Sequence, residues 1–305
     1  MKPKAIPALL LSLLLLFSLA ACGGGSNAAT IVIHDGQFSE MKIIHQMVKL
    51  LVEEKTDAKV EIKDEMSPVN VYNEMLKGNV DLTNSYDGTV LTTYFHLDPA
   101  DVPAGTTLYD FVNQQAQEKQ IRLLDKLGIN NTYAIAVPQA IAEQYNLVTI
   151  SDLAPVAGEL VFGAEHDFFT EEGSAKYGPF AAFYGLDFKE AKPVDLSLKY
   201  SAVQSGNLDV VVVYATDGLN RQANLTILED DRAFFPEYNG ALLVREDLFE
   251  KMKDTAPNLE EVLNQLGGTL SNDEMVDLTY AVYIDGKTPE AVAKEFLQQK
   301  GLLAA

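Results

Sequence analysis

One frame of residues occurs twice in this chain and constrains its fold more than any other feature. The frame reads YNEMLKGNVDLTNSYDG at Tyr72–Gly88 and YSAVQSGNLDVVVVYATDG at Tyr200–Gly218. In both copies Gly-Asn-x-Asp follows a helical segment, and a second tyrosine, Tyr86 or Tyr214, stands 14 positions after the first. Because glycine readily ends a helix, each copy predicts a helix, a glycine stop, a strand and a loop that carries the second tyrosine.

Strands alternate with helices along the chain, and this order predicts an α/β protein with mostly parallel sheets. Ser39 follows the first strand, TIVIHDG, and is the predicted cap of the next helix. In such sheets ligands bind beyond the carboxyl ends of the strands, where Tyr86 and Tyr214 stand. We therefore expect the two copies at equivalent positions of two lobes, facing each other across a cleft. Two unrelated units that share one helix stop are the alternative.

Composition excludes several classes of function. The 305 residues, 47% of them hydrophobic, are enough for two lobes that each bury a core. A net charge of −21 argues against nucleic acid as a partner, because binding to phosphates needs a basic face. The four histidines show no metal-ligand spacing, and the sequence holds no phosphate-binding loop. We predict neither a metal site nor a cofactor.

The amino terminus predicts export and lipid attachment. Residues 1–21 carry two lysines and then a long apolar run, which is typical of a cleaved signal peptide. The run leads into Leu-Ala-Ala-Cys, which resembles the bacterial lipobox, and Cys22 is the only cysteine in the chain. We expect a lipidated Cys22 at the start of a flexible leash, residues 22–29, that holds the protein at the cell membrane, facing outside the cytoplasm.

Tyrosine and phenylalanine supply all the aromatic residues, with 13 Tyr, 14 Phe and no Trp. Tyrosines grouped at strand ends can surround a cation with their π faces. A quaternary ammonium suits such a cage, because its charge is diffuse and it has no N–H group that needs an acceptor. The alternative for each single tyrosine is a core residue with its hydroxyl at the surface.

One short match points to an enzyme. Ser39-Glu40-Met41-Lys42 fits the Ser-x-x-Lys pattern of serine acyl-transfer enzymes of the penicillin-binding kind. The Ser-Asp-Asn and Lys-Thr-Gly motifs that accompany it in those enzymes are missing from the sequence. We predict that the protein is not an enzyme, and we keep a surface serine hydrolase or transpeptidase as a remote alternative.

The order of several segments resembles a known family. The segments are IVIHDGQFSEMKIIHQMVKLL, KGNVDLTNSYDGT, INNTYAIAVP, LVFGAEHDFF, YSAVQSGNLDVVVVYATDG, ILEDDRAFFPEYNGALLVR and PEAVAKEFLQQKGLL. Together they resemble the substrate-binding lipoproteins of osmoprotectant ABC importers, which bind glycine betaine, choline and carnitine. The resemblance covers residues 30–303 in order.

The resemblance implies a fold and a function. The fold is the two-lobed periplasmic-binding-protein fold, type II-like, with two crossovers and the ligand cleft between the lobes. Residues 30–132 and 236–305 would form lobe 1, and residues 133–235 lobe 2. The protein would close on a small quaternary amine and deliver it to the permease subunits of an ABC importer. The same fold with another ligand, such as an amino acid or a larger betaine like ergothioneine, is the alternative.

The resemblance also implies binding residues at the positions that match the family's motifs. In this family tyrosines surround the trimethylammonium group, and other side chains meet the ligand's carboxylate or hydroxyl. The matching cage positions are Tyr86, Tyr109, Tyr133, Tyr214 and Tyr238. The matching polar positions are Gln37, Thr89 and Asn131. Tyr72 and Tyr200 match positions that we interpret as packing.

The chain departs from the family pattern in the loop around Tyr86. Where the family commonly has Tyr-Pro-Glu-Tyr-Thr-Gly-Thr, this chain has Thr-Asn-Ser-Tyr-Asp-Gly-Thr at residues 83–89. We expect Asp87 beside the cage to favour a cation and to disfavour a free carboxylate, which favours choline-like ligands over betaines without excluding the latter.

Overall fold

A computed structural model describes residues 30–170, 174–195 and 198–304. The predicted signal peptide, Cys22 and the predicted leash, residues 1–29 in all, lie outside the described residues. Among the described residues, no helix combines the length and the apolar character that are needed to cross a membrane.

Strands and helices alternate along most of the chain, as the sequence predicts. The strands are β1 (Thr30–His34), β2 (Lys59–Lys63), β3 (Leu82–Tyr86), β4 (Ile121–Leu123), β5 (Tyr133–Pro138), β6 (Val161–Ala164), β7 (Glu190–Pro193), β8 (Val210–Tyr214), β9 (Leu225–Ile227) and β10 (Gly240–Arg245). The helices are α1 (Ser39–Lys55), α2 (Pro68–Leu76), α3 (Asp87–Thr89), α4 (Leu108–Gln117), α5 (Gln139–Tyr145), α6 (Tyr177–Tyr184), α7 (Lys199–Gln204), α8 (Leu219–Gln222), α9 (Leu248–Met252), α10 (Leu259–Asn264), α11 (Asn272–Tyr283) and α12 (Pro289–Gln299).

The strands form two groups with the same order. Five strands pair as β7-β6-β8-β5-β9, and the others pair as β1-β2 and as β3-β10-β4. β1 lies beside the start of β3, because the backbone N–H of Asp81 donates to the carbonyl of Val32 at 2.9 Å. The second group therefore runs β2-β1-β3-β10-β4, in which each strand has a counterpart in the first group.

Both groups mix parallel and antiparallel pairs, so the prediction of mostly parallel sheets is wrong. β1 pairs with β2 in parallel, and β6 pairs in parallel with both β7 and β8. β10 and β5 run antiparallel to both of their neighbours. Each of these two strands follows a strand of the other group, and so it enters its own sheet from the opposite end.

The two segments that connect the groups run side by side. The backbone N–H of Asn131 donates to the carbonyl of Tyr238 at 3.0 Å, and the Thr132 hydroxyl donates to the carbonyl of Pro236 at 2.8 Å. The backbone N–H of Tyr238 donates in turn to the side-chain oxygen of Asn130 at 2.7 Å. These bonds bring residues from both connections to the carboxyl ends of β3 and β8.

The repeated frame forms the same structure in both groups. In each copy an aspartate begins the strand and hydrogen-bonds to the neighbouring strand. Asp81 accepts from the backbone N–H of Val32 at 2.8 Å, and Asp209 accepts from that of Val161 at 2.9 Å. The backbone N–H of Asp209 also donates to Val161, as that of Asp81 does to Val32. The two copies thus form equivalent structures, as predicted. In each copy the aspartate side chain joins its strand to the neighbouring strand.

The core lies on the helix-covered faces of the two groups. α1, α10, α11 and α12 contribute to one cluster of buried apolar side chains that includes Ile33, Leu51, Leu242 and Phe296. A second cluster surrounds Phe162 in β6 and is rich in phenylalanine. Each fully buried large apolar side chain contributes about 1.5–3 kcal/mol to stability. This packing fixes the strand ends at which the site is built.

Candidate functional site

A cavity of about 700 Å³ lies at the carboxyl ends of β3 and β8. Tyrosines form much of its wall, and they come from strand ends, loops and helices of both groups. The lining tyrosines are Tyr86, Tyr94, Tyr200, Tyr214, Tyr238 and Tyr283. The charged side chains in the lining are all acidic and are Glu40, Asp195 and Asp217. The pocket is therefore aromatic, and its electrostatic potential suits a cation.

Five of the eight predicted ligand-binding residues line this cavity. They are Tyr86, Thr89, Asn131, Tyr214 and Tyr238. The other three, Gln37, Tyr109 and Tyr133, lie outside the lining.

Each of these three positions has a local reason. Tyr133 stands opposite Tyr214 in the β5–β8 pair and stacks on it with ring centroids 5.5 Å apart, so its ring lies beside that of Tyr214 and outside the lining. The Tyr109 hydroxyl donates to the carbonyl of Leu124. Gln37 is exposed in the turn before α1.

Glu40 joins the two sides of the pocket. Its carboxyl group accepts hydrogen bonds from the hydroxyls of Tyr86, at the end of β3, and Thr216, beyond β8. The Glu40 residue is only 5% exposed. Burial raises the pKa of its carboxyl to about 7, and the nearby charge of Asp217 acts in the same direction. Hydrogen bonds from Thr216, Tyr86 and Asn131 oppose this shift.

Glu40 owes its position to the start of α1. The sequence predicts Ser39 as the cap, but α1 begins at Ser39, and the extended residue before it, Phe38, takes the capping position without a side-chain hydrogen bond. Glu40 therefore lies in the first turn, where the helix dipole favours a negative charge. The Ser39 backbone N–H donates to the hydroxyl of the pocket residue Tyr283 at 3.3 Å.

Tyr238 closes the pocket over the loop that follows Tyr86. The rings of Tyr86 and Tyr238 lie 5.6 Å apart, and the Thr89 hydroxyl donates to that of Tyr238 at 3.2 Å. A Cβ atom on Gly88 would stand 2.1 Å from the Tyr238 ring. Only glycine at this position allows the tyrosine to pack so closely on the loop.

Asp87, which the sequence analysis expects beside the cage, does not line the cavity itself. Its carboxylate turns away and accepts the backbone and side-chain N–H groups of Asn239, at 2.8 and 2.7 Å, and the backbone N–H of Gly88 at 2.8 Å. Burial raises the pKa of this carboxyl to about 6, and the same hydrogen bonds limit the rise. Asp87 thus anchors the loop that presents Tyr238, and the acids that line the pocket are Glu40, Asp195 and Asp217.

On the other side of the pocket, Tyr214 lies against a buried ion pair. The Lys199 ammonium is 4.9 Å from the centre of the Tyr214 ring and 2.8 Å from the Glu165 carboxylate. Lys199 itself is completely buried. One face of Tyr214 therefore already has a cation near it.

Two tyrosines that we interpret as packing residues have different positions. Tyr72 stacks on Tyr94 with ring centroids 4.5 Å apart and lies in the core, as predicted. Tyr200 is buried, but it also lines the cavity, and its hydroxyl donates to Asp217 at 2.6 Å. Tyr200 is thus a packing residue, as interpreted from the sequence, and also a residue of the pocket wall.

Sequence reasoning did not identify Glu40, Tyr94 or Tyr283 as pocket residues. Glu40 was visible only as part of the Ser-x-x-Lys match. Tyr94 follows the Tyr86 loop in a π-helical turn, Val90–Tyr94, that the sequence did not predict. Tyr283 ends α11 and reaches the pocket only through tertiary packing, so no local pattern pointed to it.

The Ser-x-x-Lys segment does not form a catalytic pair in the part of the chain that the structure describes. The Lys42 amine donates to the Glu65 carboxylate and not to the Ser39 hydroxyl. Likewise, the described residues contain no group of three or more His, Cys, Asp or Glu side chains that could hold a metal ion.

The fold and the pocket together define a ligand-binding protein of the α/β class with an aromatic cleft. The family model OpuAC, described as the substrate binding domain of ABC-type glycine betaine transport system, matches residues 29–299. The chain belongs to this family and is a substrate-binding protein of that type of ABC transporter. The resemblance drawn from the sequence is thus confirmed, and the family is one of transport proteins and not of enzymes.

Similarity to individual proteins of known name supports the same family assignment. The chain is 34% identical to the carnitine transport binding protein OpuCC of Listeria monocytogenes over 98% of this chain and 97% of that protein. It is 30% identical to the ergothioneine transport permease/ergothioneine binding protein EgtU of Helicobacter pylori, over 89% of this chain and 48% of that protein. A crystal structure of a glycine betaine/carnitine/choline ABC transporter protein matches with a TM-score of 0.80 and 30% identity, over 89% of this chain and 99% of that one. The periplasmic-binding-protein-like fold is therefore confirmed.

Proposed function

We propose that this protein captures a small quaternary ammonium compound in the tyrosine-lined pocket and delivers it to the permease of an ABC importer. The observation that carries the proposal is the pocket itself, which combines six tyrosines with an acidic and no basic lining among the described residues. Each ring face turned to a desolvated cation contributes about 0.5–2 kcal/mol of attraction. Choline, glycine betaine and carnitine all offer the trimethylammonium group that fits this chemistry.

The proposed cage walls are Tyr86, Tyr214 and Tyr238, with Thr89 and Asn131 as polar neighbours. Tyr133 would act indirectly, because its ring stacks on that of Tyr214. Binding would bring residues 30–132 with 236–305, as one lobe, towards residues 133–235, as the other. The paired connections near Asn131 and Tyr238 would serve as the hinge.

Location follows from the same proposal. An importer's binding protein works outside the cytoplasm, and the lipobox-like sequence before Cys22 supports attachment to the membrane by lipid. Metabolic labelling with a fatty-acid analogue should mark the protein, and Cys22→Ser should abolish the label.

Two relatives favour different ligands within the proposed class. OpuCC is named for carnitine, and EgtU for ergothioneine, a larger betaine. A cavity of about 700 Å³ has room for the larger compound, so a larger betaine is the second candidate.

Calorimetric titration tests the proposal. The ligands are choline, glycine betaine, carnitine, proline betaine and ergothioneine, with an uncharged sugar as the control. We expect saturable binding of at least one of the five. Flat traces for all five, from a protein that circular dichroism shows to be folded, would refute the proposed function. Binding of ergothioneine alone would select the second candidate.

A further inference from the structure

Two polar side chains in the pocket wall have no hydrogen-bond partner. Asn84 and Ser85 directly precede Tyr86, the last residue of β3, and both line the cavity. They are 1% and 2% exposed. Within the described residues, neither the amide nitrogen nor the amide oxygen of Asn84 makes a hydrogen bond, and neither does the Ser85 hydroxyl. Buried polar groups are almost always satisfied in folded proteins, so such a pair facing a cavity indicates a missing ligand.

The backbone holds this pair firmly in place. His45 in α1 accepts the backbone N–H of Asn84 on Nε2 at 3.1 Å, and its Nδ1 lies 3.1 Å from the Asp35 carboxylate. Because Nε2 must be an acceptor here, Nδ1 carries the proton and donates to Asp35. On the other side, Asn84 stands opposite Leu242 in the β3–β10 pair. The backbone of Asn84 is thus held between α1 and β10 at the strand end.

Neighbouring groups leave the pair available. The Asn84 side chain lies beside the Tyr86 phenol, which already donates to Glu40, and the Ser85 side chain lies beside Tyr94. Burial raises the pKa of both phenols, and the contacts with Asn84 and Ser85 lower it, but neither contact has the geometry of a normal hydrogen bond.

The charge of the lining decides what kind of group this pair can bind. Among the described residues that line the cavity, the acids Glu40, Asp195 and Asp217 have no basic side chain beside them in the wall. The nearby Lys199 lies outside the lining and is paired with Glu165. A free carboxylate on a ligand would therefore meet negative charge and no cation. An amide and a hydroxyl, by contrast, match a neutral group that both donates and accepts.

We propose that Asn84 and Ser85, whose side chains project to opposite faces of the end of β3, offer two neutral hydrogen-bonding groups, and that one of the two binds the end of the ligand opposite its ammonium group. This inference rests on the proposed function and narrows its substrate class. The preferred ligand is a quaternary ammonium cation that carries a hydroxyl or amide group rather than a free carboxylate.

Matched ligand pairs test the subsite. The probes are trimethylammonium compounds with 2-hydroxyethyl, 3-hydroxypropyl and 4-hydroxybutyl groups, each compared with the alkyl compound in which a methyl replaces the hydroxyl. Calorimetry on the wild-type protein should give a hydroxyl preference of at least about tenfold for the chain length that reaches the subsite, because the unpaired groups gain their partner only then. Glycine betaine should bind more weakly than the preferred hydroxyl compound.

Two variants and one control locate the effect. One of the two variants, Asn84→Leu or Ser85→Ala, should remove most of the hydroxyl preference and leave the affinity of the alkyl compounds within about twofold, because the tyrosine cage is untouched. Ser151→Ala is the control, since the Ser151 hydroxyl donates to Asp231 at 2.6 Å and lies outside the lining. It should leave the preference unchanged.

The outcomes separate this inference from the proposed function. If no trimethylammonium compound of any kind binds to the folded protein, the proposed function itself fails. If hydroxyl and alkyl partners bind equally at all three chain lengths, if glycine betaine binds more tightly than the hydroxyl compounds, or if both variants keep the wild-type preference, only the subsite is refuted.

Discussion

The two strands that end in the pocket begin alike and end differently. Both start with an aspartate that binds the neighbouring strand, and both finish with a pocket tyrosine, Tyr86 or Tyr214. The Tyr86 hydroxyl donates to the buried Glu40 carboxyl. The Tyr214 ring, in contrast, lies 4.9 Å from the ammonium of Lys199.

Because of this difference, we expect the two sides of the pocket to attract a cation unequally. A hydrogen bond to a carboxylate increases the electron density of a phenol, and so strengthens its attraction for a cation. A cation already near the other ring, although it is paired with Glu165, weakens that ring's capacity for a second one. We therefore expect the ligand's ammonium group to lie closer to Tyr86 and Glu40 than to Tyr214.

The largest expected effect concerns the aspartates at the strand starts. Asp81 is 1% exposed and accepts from the Lys251 amine at 2.8 Å as well as from Val32, whereas Asp209 is only half-buried. Asp81→Ala should lower the free energy of unfolding by about 3 kcal/mol, and Asp209→Ala by about 1 kcal/mol, because more charged hydrogen bonds are lost at Asp81. Urea denaturation measures both. Equal losses would show that the two starts are energetically equivalent.

The next effect concerns the tyrosines themselves. Tyr86→Ala should weaken binding of the preferred trimethylammonium ligand about 100-fold, which corresponds to about 2.7 kcal/mol. Tyr214→Ala should weaken it less, by about tenfold, because its ring already faces Lys199. Tyr145→Ala is the control, since that tyrosine contacts Glu159 and lies outside the pocket lining. A larger loss of affinity in Tyr214→Ala than in Tyr86→Ala would contradict the proposal that the ammonium group lies closer to Tyr86.

Glu40 should make binding depend on pH. Its carboxyl has a pKa of about 7, so it is protonated and neutral below that pH and ionised above it. Cation affinity should therefore fall by up to about tenfold as the pH drops from 8 to 6, and Glu40→Gln should bind about tenfold more weakly at pH 8 with no such dependence. Calorimetry in buffers of different ionisation enthalpy should also detect proton release on binding at pH 7. A wild-type profile in Glu40→Gln would contradict this role.

The same carboxyl should affect stability with a defined sign. The folded protein holds this proton more tightly than the unfolded chain, since the pKa rises from 4.5 to about 7 on folding. The free energy of unfolding should therefore decrease as the pH rises from 4.5 to 7, by at most about 1.4 kcal/mol per pH unit from this group. Asp87 contributes with the same sign, so the difference between the wild type and Glu40→Gln isolates Glu40.

The smallest effect comes from the two hydroxyls. Tyr86→Phe should weaken ligand binding about threefold, because Glu40 loses a donor and the ring loses its electron-rich phenol. Tyr214→Phe should change binding less than twofold, since its hydroxyl lies beside that of Tyr133 and is not among the hydrogen-bond partners of Glu40 within the described residues. Calorimetry on both variants measures the contrast, and identical affinities would show that the Glu40 bond does not tune the cage.

The sequence predicted those parts of the site that depend on local pattern. Tyr86 and Tyr214 were predicted because a glycine stop, a strand and a terminal tyrosine follow one another in the chain. The sequence could not show where the Asp87 side chain points, because this depends on a hydrogen bond to Asn239, which is distant in sequence.

Other features depend on tertiary structure throughout. Tyr283 reaches the pocket from α11, and the elevated pKa of Glu40 results from burial between residues of both groups of strands. The antiparallel direction of β5 and β10 follows from the two connections between the groups, which no local pattern encodes.

The most direct test of the central claim compares a cation with its neutral copy. Choline and 3,3-dimethylbutan-1-ol have the same shape, but a carbon replaces the charged nitrogen in the second compound. If tyrosine faces and the Glu40 carboxyl recognise the positive charge, calorimetry at pH 8 should show choline binding at least about 100-fold more tightly. Equal affinity for the two compounds would contradict the account, because the pocket would then select shape and not charge.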